Sequence, residues 1–239
     1  MKILSNGYNS NCPNIKINSS GGTATFEKIF LEQIKKTKNE WVSVFNNFSK
    51  TNPKSKIEFK EKNITWWSVS FKKDYLNKII KTKKRKIKKE EELSDLILVF
   101  EKILKKESPD IVLLNGVSIF IWCLFKAANN LNIKTVIQHA GVWHFELDNY
   151  AKYFSKKGLE LMKEMEKDIS INSSANIFLN KTSQNVFLDK VIKINKNKLN
   201  IVPLPIPIEK CKNINKENFT NNVLKIGMVG RWDIIKNHE

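Results

Sequence analysis

The chain has 239 residues, 41% of them apolar and 28% charged, which is enough apolar content for a packed core and an ordinary charge density for a globular protein. Its formal net charge is +18, but only Arg85 and Arg231 are arginine; the excess lysine, with abundant Asn and Ile, reads as a bias toward AT-rich codons. Reading of base edges leans on arginine, so no nucleic-acid partner is expected. Cys12, Cys123 and Cys211 are widely spaced with no CxxC pair, which gives no support to a thiolate zinc or redox motif.

Lys2 to Asn6 suits a first central strand, and MKILSNGYNS has no apolar stretch for a signal peptide. A polar loop closes on Gly21-Gly22-Thr23, and Phe26, Ile29, Phe30 and Ile34 then recur at helical spacing. Thr23 is placed to cap that helix, with Glu27 in its first turns. Strand, glycine pair and helix in succession are the sequence form of a phosphate-facing turn, although the pattern is not GxGxxG. Trp41 to Phe45 reads as a second strand, and Ile57 to Phe59 with Ile64 to Val69 as further strands or a hairpin.

The strongest basic run extends from Lys72 to Lys89, with Tyr75, Leu76, Ile79, Ile80 and Ile87 interleaved. It is read as a solvated helix and loop or as a surface that attracts anionic lipid headgroups. Glu91 to Leu104 is an amphipathic helix stopped by Ser108-Pro109. Ile111 to Asn115 is a strand apolar up to its terminal Asn115, as expected when both sheet faces are covered. Val117 to Leu131 is a buried helix that takes Cys123 into the core, and Thr135 to His139 is the next strand. Ile111 to Phe125 is the most apolar stretch, but it is shorter than the ~20 residues a span needs and is broken by Asn115-Gly116. The expected compartment is therefore the cytoplasm, with peripheral contact to the inner face of the membrane through the basic run.

Asn6, Asn115 and His139 fall at the carboxyl ends of strands, where open α/β sheets bind ligands. Trp143, His144 and Glu146 follow His139 in the loop beyond. Lys156 to Ile171 is an amphipathic helix, Ala175 to Asn180 a strand, Lys181 to about Ile194 a helix, and Leu199 to Pro203 a last strand. This alternation predicts an α/β fold with a doubly wound parallel sheet. A proline-rich connector follows, Pro203 to Ile208, and then a polar stretch. Val223 to Val229 is a final apolar strand running into Gly230-Arg231, with Lys236 beyond. Such a turn offers free N–H groups and a helix dipole to a phosphate.

The segment Ile226-Gly227-Met228-Val229-Gly230-Arg231 followed by Lys236 resembles the strand and loop that open the C-terminal domain of GT-B glycosyltransferases. It is most similar to the retaining family 4 (glycosyl transferases group 1), which includes sucrose synthase. Gly21-Gly22 resembles that family's glycine pair, and His139 its histidine after the same strand. The chain departs from the family at Pro203 to Ile208, which lacks the usual Pro-Asn-Gly turn.

The resemblance implies an N-terminal GT-B Rossmann-like domain over residues 1–205, a linker over 206–222, and the start of a nucleotide-sugar-binding domain over 223–239. It implies transfer of a sugar, with retention, from a nucleoside-diphosphate sugar to a hydroxyl of a glycan or lipid-linked acceptor. Arg231, Lys236, Gly21 and Gly22 would hold the donor phosphates, and His139 the transferred sugar. Trp143 and His144 would lie on the acceptor side. No cofactor and no metal is expected, the nucleotide sugar being the substrate. The chain ends about one helical turn past Arg231, so it is expected to be a truncated form and inactive by itself. Two other readings stay open: a noncatalytic basic module docking on an anionic surface, and a GT-B-shaped sugar-nucleotide epimerase.

Overall fold

The computed structural model describes residues 1–15, 22–83 and 88–203, which lie within one compact unit. The expected linker (206–222) and second-domain start (223–239) lie outside the described residues, as do Gly21, Arg231 and Lys236. In chain order the strands are β1 (Lys2–Asn6), β2 (Glu40–Phe48), β3 (Lys54–Glu61), β4 (Ile64–Phe71), β5 (Ile111–Asn115), β6 (Lys134–His139), β7 (Ala175–Phe178) and β8 (Leu199–Ile201). The helices are α1 (Gly22–Ile34), α2 (Asp74–Ile80), α3 (Lys89–Glu92), α4 (Ser94–Glu107), α5 (Ile119–Asn130), α6 (Trp143–Asn149), α7 (Lys156–Asn172) and α8 (Lys181–Lys190).

The strands form one sheet in the order β3-β4-β2-β1-β5-β6-β7-β8. Every pairing is parallel except that of β3 with β4, which is the hairpin alternative for residues 57–69. In the register, Ile3 lies between Trp41 of β2 and Ile111 of β5. Edge strand β3 exposes Lys54, Lys56 and Lys60, charges that discourage further pairing at an open edge.

The period of two in each strand sorts side chains onto two faces. Leu4, Val42, Val44, Trp67, Val69, Phe71, Val112, Leu114 and Ile137 form the larger core with the buried faces of α4, α5 and α7. Trp41, Phe45, Ile64 and Trp66 point the other way and pack with Leu31 and Ile34 of α1. A third cluster joins Phe178 of β7 to Phe187 and Val191. With helices on both faces the sheet is doubly wound, and strands such as β4 are buried along their whole length.

Local signals set the helix limits. Ser118, Ser155 and Asn180 are N-caps whose side chains accept from Ile121 N, Gly158 N and Ser183 N. Some expected boundaries move. The helix expected to be capped by Thr23 already begins at Gly22, so Thr23 lies within it. The helix expected from Glu91 is broken at Leu93 into α3 and α4. The helix expected to reach about Ile194 stops at Lys190, and Asn180 serves as its cap rather than as the end of a strand. Trp143, His144 and Glu146 lie on α6, not in a loop; the burial of Leu147 against the larger core gives this short helix its inner face.

Candidate functional site

The strand order reverses between β1 and β5: the chain moves from β1 to β2 on one side, and β5 joins β1 on the other. The crevice outside the carboxyl ends at such a switch point is where doubly wound sheets hold ligands. Asn6 and Asn115 end the two strands and are bonded together. The Asn115 backbone N–H donates to Asn6 Oδ1 at 2.7 Å, and Asn6 Nδ2 donates to the Asn115 carbonyl at 3.2 Å. Asn115 Nδ2 donates to Ser5 Oγ at 2.9 Å. The atom left over is Asn115 Oδ1, buried and without a protein partner; chemically it can accept a hydrogen bond from a ligand hydroxyl. Gly116 follows at φ +78°, a left-handed turn that suits glycine.

The β1–α1 connection is pinned by Glu27, an α1 residue only 2% exposed. Its carboxylate accepts from Tyr8 N at 2.9 Å, Asn11 Nδ2 at 2.7 Å and Ser43 Oγ at 2.8 Å. Burial pushes its pKa up, and these three hydrogen bonds act against that push. Gly7 passes directly over the same spot. A Cβ there would run into Ser43 Oγ and Glu27 Oε1, so a larger residue would have to displace the bonded Glu27–Ser43 pair. Of the expected phosphate-binding pair, Gly22 is the first residue of α1.

His139 ends β6 as expected, but its ring turns into the third core cluster. It is 1% exposed, stacked on Phe178 with centroids 4.6 Å apart and planes 9° apart, and tilted against Phe187. Its Nε2 bonds Asn176 Oδ1 at 2.9 Å, while Asn176 Nδ2 donates to the Ser170 carbonyl. The asparagine oxygen is therefore the acceptor, and the neutral ring carries its proton on Nε2. Nδ1 is buried with no protein partner. Burial lowers the imidazole pKa to about 4 against the opposing pull of Asn176, so the ring is neutral at physiological pH.

Trp143 and His144 meet a residue that the sequence reading did not single out. Glu166 of α7 is fully buried, and its Oε1 accepts the Trp143 backbone N–H at 3.0 Å. Its Oε2 lies 3.6 Å from His144 Nδ1. Burial raises the Glu166 pKa to about 7; the nearby Glu146 adds to the rise, while the Trp143 and His144 N–H groups and Lys163 oppose it. Burial also lowers the pKa of His144, with Lys163 and Lys167 pushing the same way. The Trp143 ring is half-buried against the larger core.

The burial of both acids had a signal in the sequence. Glu27 falls in step with Ala24, Leu31 and Ile34, and Glu166 with Met162, Met165 and Ile169, all buried. An acid inside a helix's apolar stripe is either paired or functional. Among the described residues no three His, Cys, Asp or Glu side chains gather as a metal site. No described helix is long and apolar enough to cross a membrane.

In the basic run, Tyr75, Leu76 and Ile80 of α2 turn inward against the larger core. Lys72, Lys73, Lys78, Lys81 and Lys83 remain exposed, and residues 84–87 lie outside the described residues. The run is docked on the start of α7, where Ser155 N donates to the Ile80 carbonyl at 2.9 Å and Ser155 Oγ to the Thr82 carbonyl at 2.6 Å. The aromatic rings of Phe145 and Tyr153, 55% and 59% exposed, stand on the segment leading into that junction.

No protein-family model matches the chain, and no curated protein matches its sequence. Solved structures match its fold. A sucrose-phosphate synthase from Thermosynechococcus elongatus superposes with a TM-score of 0.53 at 12% identity, covering 84% of this chain and 47% of that one. An α,α-trehalose 6-phosphate synthase from Burkholderia multivorans gives 0.51 at 11% identity, with 88% and 50% covered. A UDP-GlcNAc 2-epimerase from Methanocaldococcus jannaschii, in complex with UDP-GlcNAc and UDP, gives 0.47 at 17% identity, with 84% and 46% covered. The chain thus spans about half the length of each of these proteins. Its eight-stranded, mostly parallel α/β sheet has the fold of a GT-B Rossmann-like domain.

Proposed function

We propose that this chain is the acceptor-side part of a sugar-nucleotide enzyme that transfers a sugar from a nucleoside-diphosphate sugar to an acceptor hydroxyl, with retention of configuration. The observation that carries this reading is the GT-B-type sheet with its switch point between β1 and β5. There Gly7, Gly116 and the unpartnered Asn115 Oδ1 gather at the strand ends. The second support is the sequence segment Gly230-Arg231 with Lys236, whose charges suit a diphosphate leaving group. Gly21 and Gly22 would lie against the same phosphates. The burial of His139 confines its part to the wall of the site, where it would hold the sugar through the strand end it anchors. The acceptor would be a glycan or a lipid-linked glycan, reached at an anionic membrane surface through the exposed lysines of the 72–89 run.

The test is equilibrium binding of UDP-, GDP- and ADP-sugars, followed by product analysis with glycan and lipid-linked acceptors. Arg231→Ala with Lys236→Ala should weaken nucleotide-sugar affinity by about tenfold or more per charge, since a hydrogen bond to a charged group contributes about 1.5–3 kcal/mol. Unchanged affinity in the double variant would overturn the assignment. Epimerised sugar nucleotide among the products, with no transferred sugar, would favour the epimerase reading, because one fold hosts both chemistries.

A further inference from the structure

We propose that His144 and Glu166 form a proton-sharing acid–base pair on the acceptor side of the sheet, and that His144 takes the proton of the acceptor hydroxyl. The second half rests on the sugar-transfer reading; the pairing of the two side chains does not.

The geometry points to this pair because two leftover atoms face one another. Glu166 has one oxygen committed to the Trp143 N–H. The His144 backbone N–H also acts on this carboxylate, yet its other oxygen and His144 Nδ1 are both buried with no hydrogen-bond partner among the described residues. They lie 3.6 Å apart, slightly beyond a hydrogen bond. Leaving either one unsatisfied costs free energy, and a single proton between them satisfies both. Catalytic hydrogen bonds are often long before substrate arrives. Glu166 is wholly enclosed, whereas the His144 side chain is 21% exposed, and Nδ1 is the ring nitrogen that is buried without a partner, which leaves Nε2 for the outer side of the pair. A buried acid that orients an imidazole with an open outer nitrogen is the arrangement of a general base with its positioning group.

The charged neighbours set the range over which the pair works. Glu146 and Asp148 approach from α6, and Lys163 and Lys167 from α7. Lys163 is already engaged by Asp148 at 2.6 Å, so it neutralises Glu166 only in part. Burial holds the carboxyl near 7 while it depresses the imidazole. Above that pH the carboxylate accepts from Nδ1–H and the Nε2 lone pair faces outward. Below it, the carboxyl O–H donates to Nδ1 and the imidazole proton sits on Nε2.

In the transfer step the acceptor O–H bond breaks and its proton passes to Nε2 as the Nδ1 proton moves to the Glu166 carboxylate. The acceptor oxygen bonds to the sugar's anomeric carbon on the same face from which the diphosphate departs, which keeps the configuration. The bond from that carbon to the diphosphate breaks, and its electron pair leaves with the nucleoside diphosphate. The pair then releases one proton to water, which closes the cycle.

The chain has three histidines, so long-range proton–nitrogen NMR of the intact protein resolves each ring. The expected result is a His144 tautomer with the proton on Nδ1 at pH 8, switching with an apparent pKa near 7. In Glu166→Gln the amide N–H would lock the Nε2–H form and abolish the switch. A wild-type ring already carrying its proton on Nε2 at pH 8, or a titration unchanged in E166Q, would overturn the pairing. For the chemical role, His144→Gln should lower kcat by about 10²–10⁴-fold with nucleotide-sugar affinity unchanged, and E166Q should remove the rise of kcat through pH 7. Transfer at the wild-type rate and pH profile in both variants would overturn that role. If no acceptor is glycosylated by the wild type, either alone or with a nucleotide-sugar-binding domain supplied to it, the transfer reading and the His144 role fail together, and the pairing stands or falls on the NMR result.

Discussion

Glu166→Gln should make the folded protein more stable at neutral pH and leave it unchanged in acid. The carboxyl has a folded-state pKa of about 7 against an ordinary value of 4.5. Between those values the native state holds a proton that the unfolded chain has lost. Wild-type stability therefore falls as pH rises through this window, by about 1.4 kcal/mol per unit and about 3 kcal/mol in all. Above pH 7 both states are ionised and the penalty stays constant. Glutamine has the same shape, keeps an oxygen for the Trp143 N–H and presents an N–H to His144 Nδ1, so it removes the penalty without leaving a cavity. The assay is urea unfolding at pH 4, 5, 6, 7 and 8, followed by fluorescence of the six tryptophans, with the slope m confirming that the transition is the same. The gap between variant and wild type should be near zero at pH 4, widen steadily and level off above pH 7. A gap independent of pH would refute the premise that Glu166 is buried and protonated near neutrality.

Other expectations follow from the same chemistry. His139→Phe keeps the stack on Phe178 but strands Asn176 Oδ1, which should cost about 1–3 kcal/mol at pH 7. Wild-type stability falls as pH drops from 6.5 toward 4, because the unfolded histidine takes up a proton that the buried ring refuses. The Phe variant escapes that loss, so the gap in urea unfolding should close or invert at pH 4; a gap that stays constant would contradict the buried neutral ring. Gly7→Ala forces a methyl into Ser43 Oγ and Glu27 Oε1 and should destabilise by about 1–3 kcal/mol in thermal unfolding, whereas an unchanged Tm would mean the chain does not pass that close. Neutralisation of Lys72, Lys73, Lys81 and Lys83 to glutamine should weaken sedimentation with phosphatidylserine-containing vesicles by about fivefold per lysine, from about 1 kcal/mol each. Equal binding by wild type and variant, at low and high salt, would remove the membrane from the list of partners.

Much of the fold was legible in the sequence because it depends on local periodicity. The short runs at Ile111 to Asn115 and Thr135 to His139 read as strands and form β5 and β6, and the buried helix read over Val117 to Leu131 from its apolar length forms over Ile119–Asn130. Boundaries were less legible where a neighbour decides them. Asn180 caps a helix rather than ending a strand because its side chain meets Ser183 N, and the Trp143 segment becomes a helix because Glu166 accepts its first N–H and Leu147 finds the core. The candidate site was legible only in part. Strand-end positions of Asn6, Asn115 and His139 follow from pattern, whereas the direction in which each side chain points depends on what packs above it.

What the sequence determined by itself is the class: alternating strands and helices, and a lysine-rich composition. These properties reside in residue type and spacing within a turn or two of chain. What only the tertiary structure decided is which distant groups meet. Asn6 bonds Asn115 across 109 positions of chain, His139 is enclosed by Phe178 and Phe187 instead of facing the crevice, and Glu166 comes to rest beneath His144. Burial and hydrogen-bond partners are long-range quantities, fixed when the sheet closes over its helices, and they convert an ordinary histidine and an ordinary glutamate into a neutral core ring and a carboxyl that titrates near pH 7.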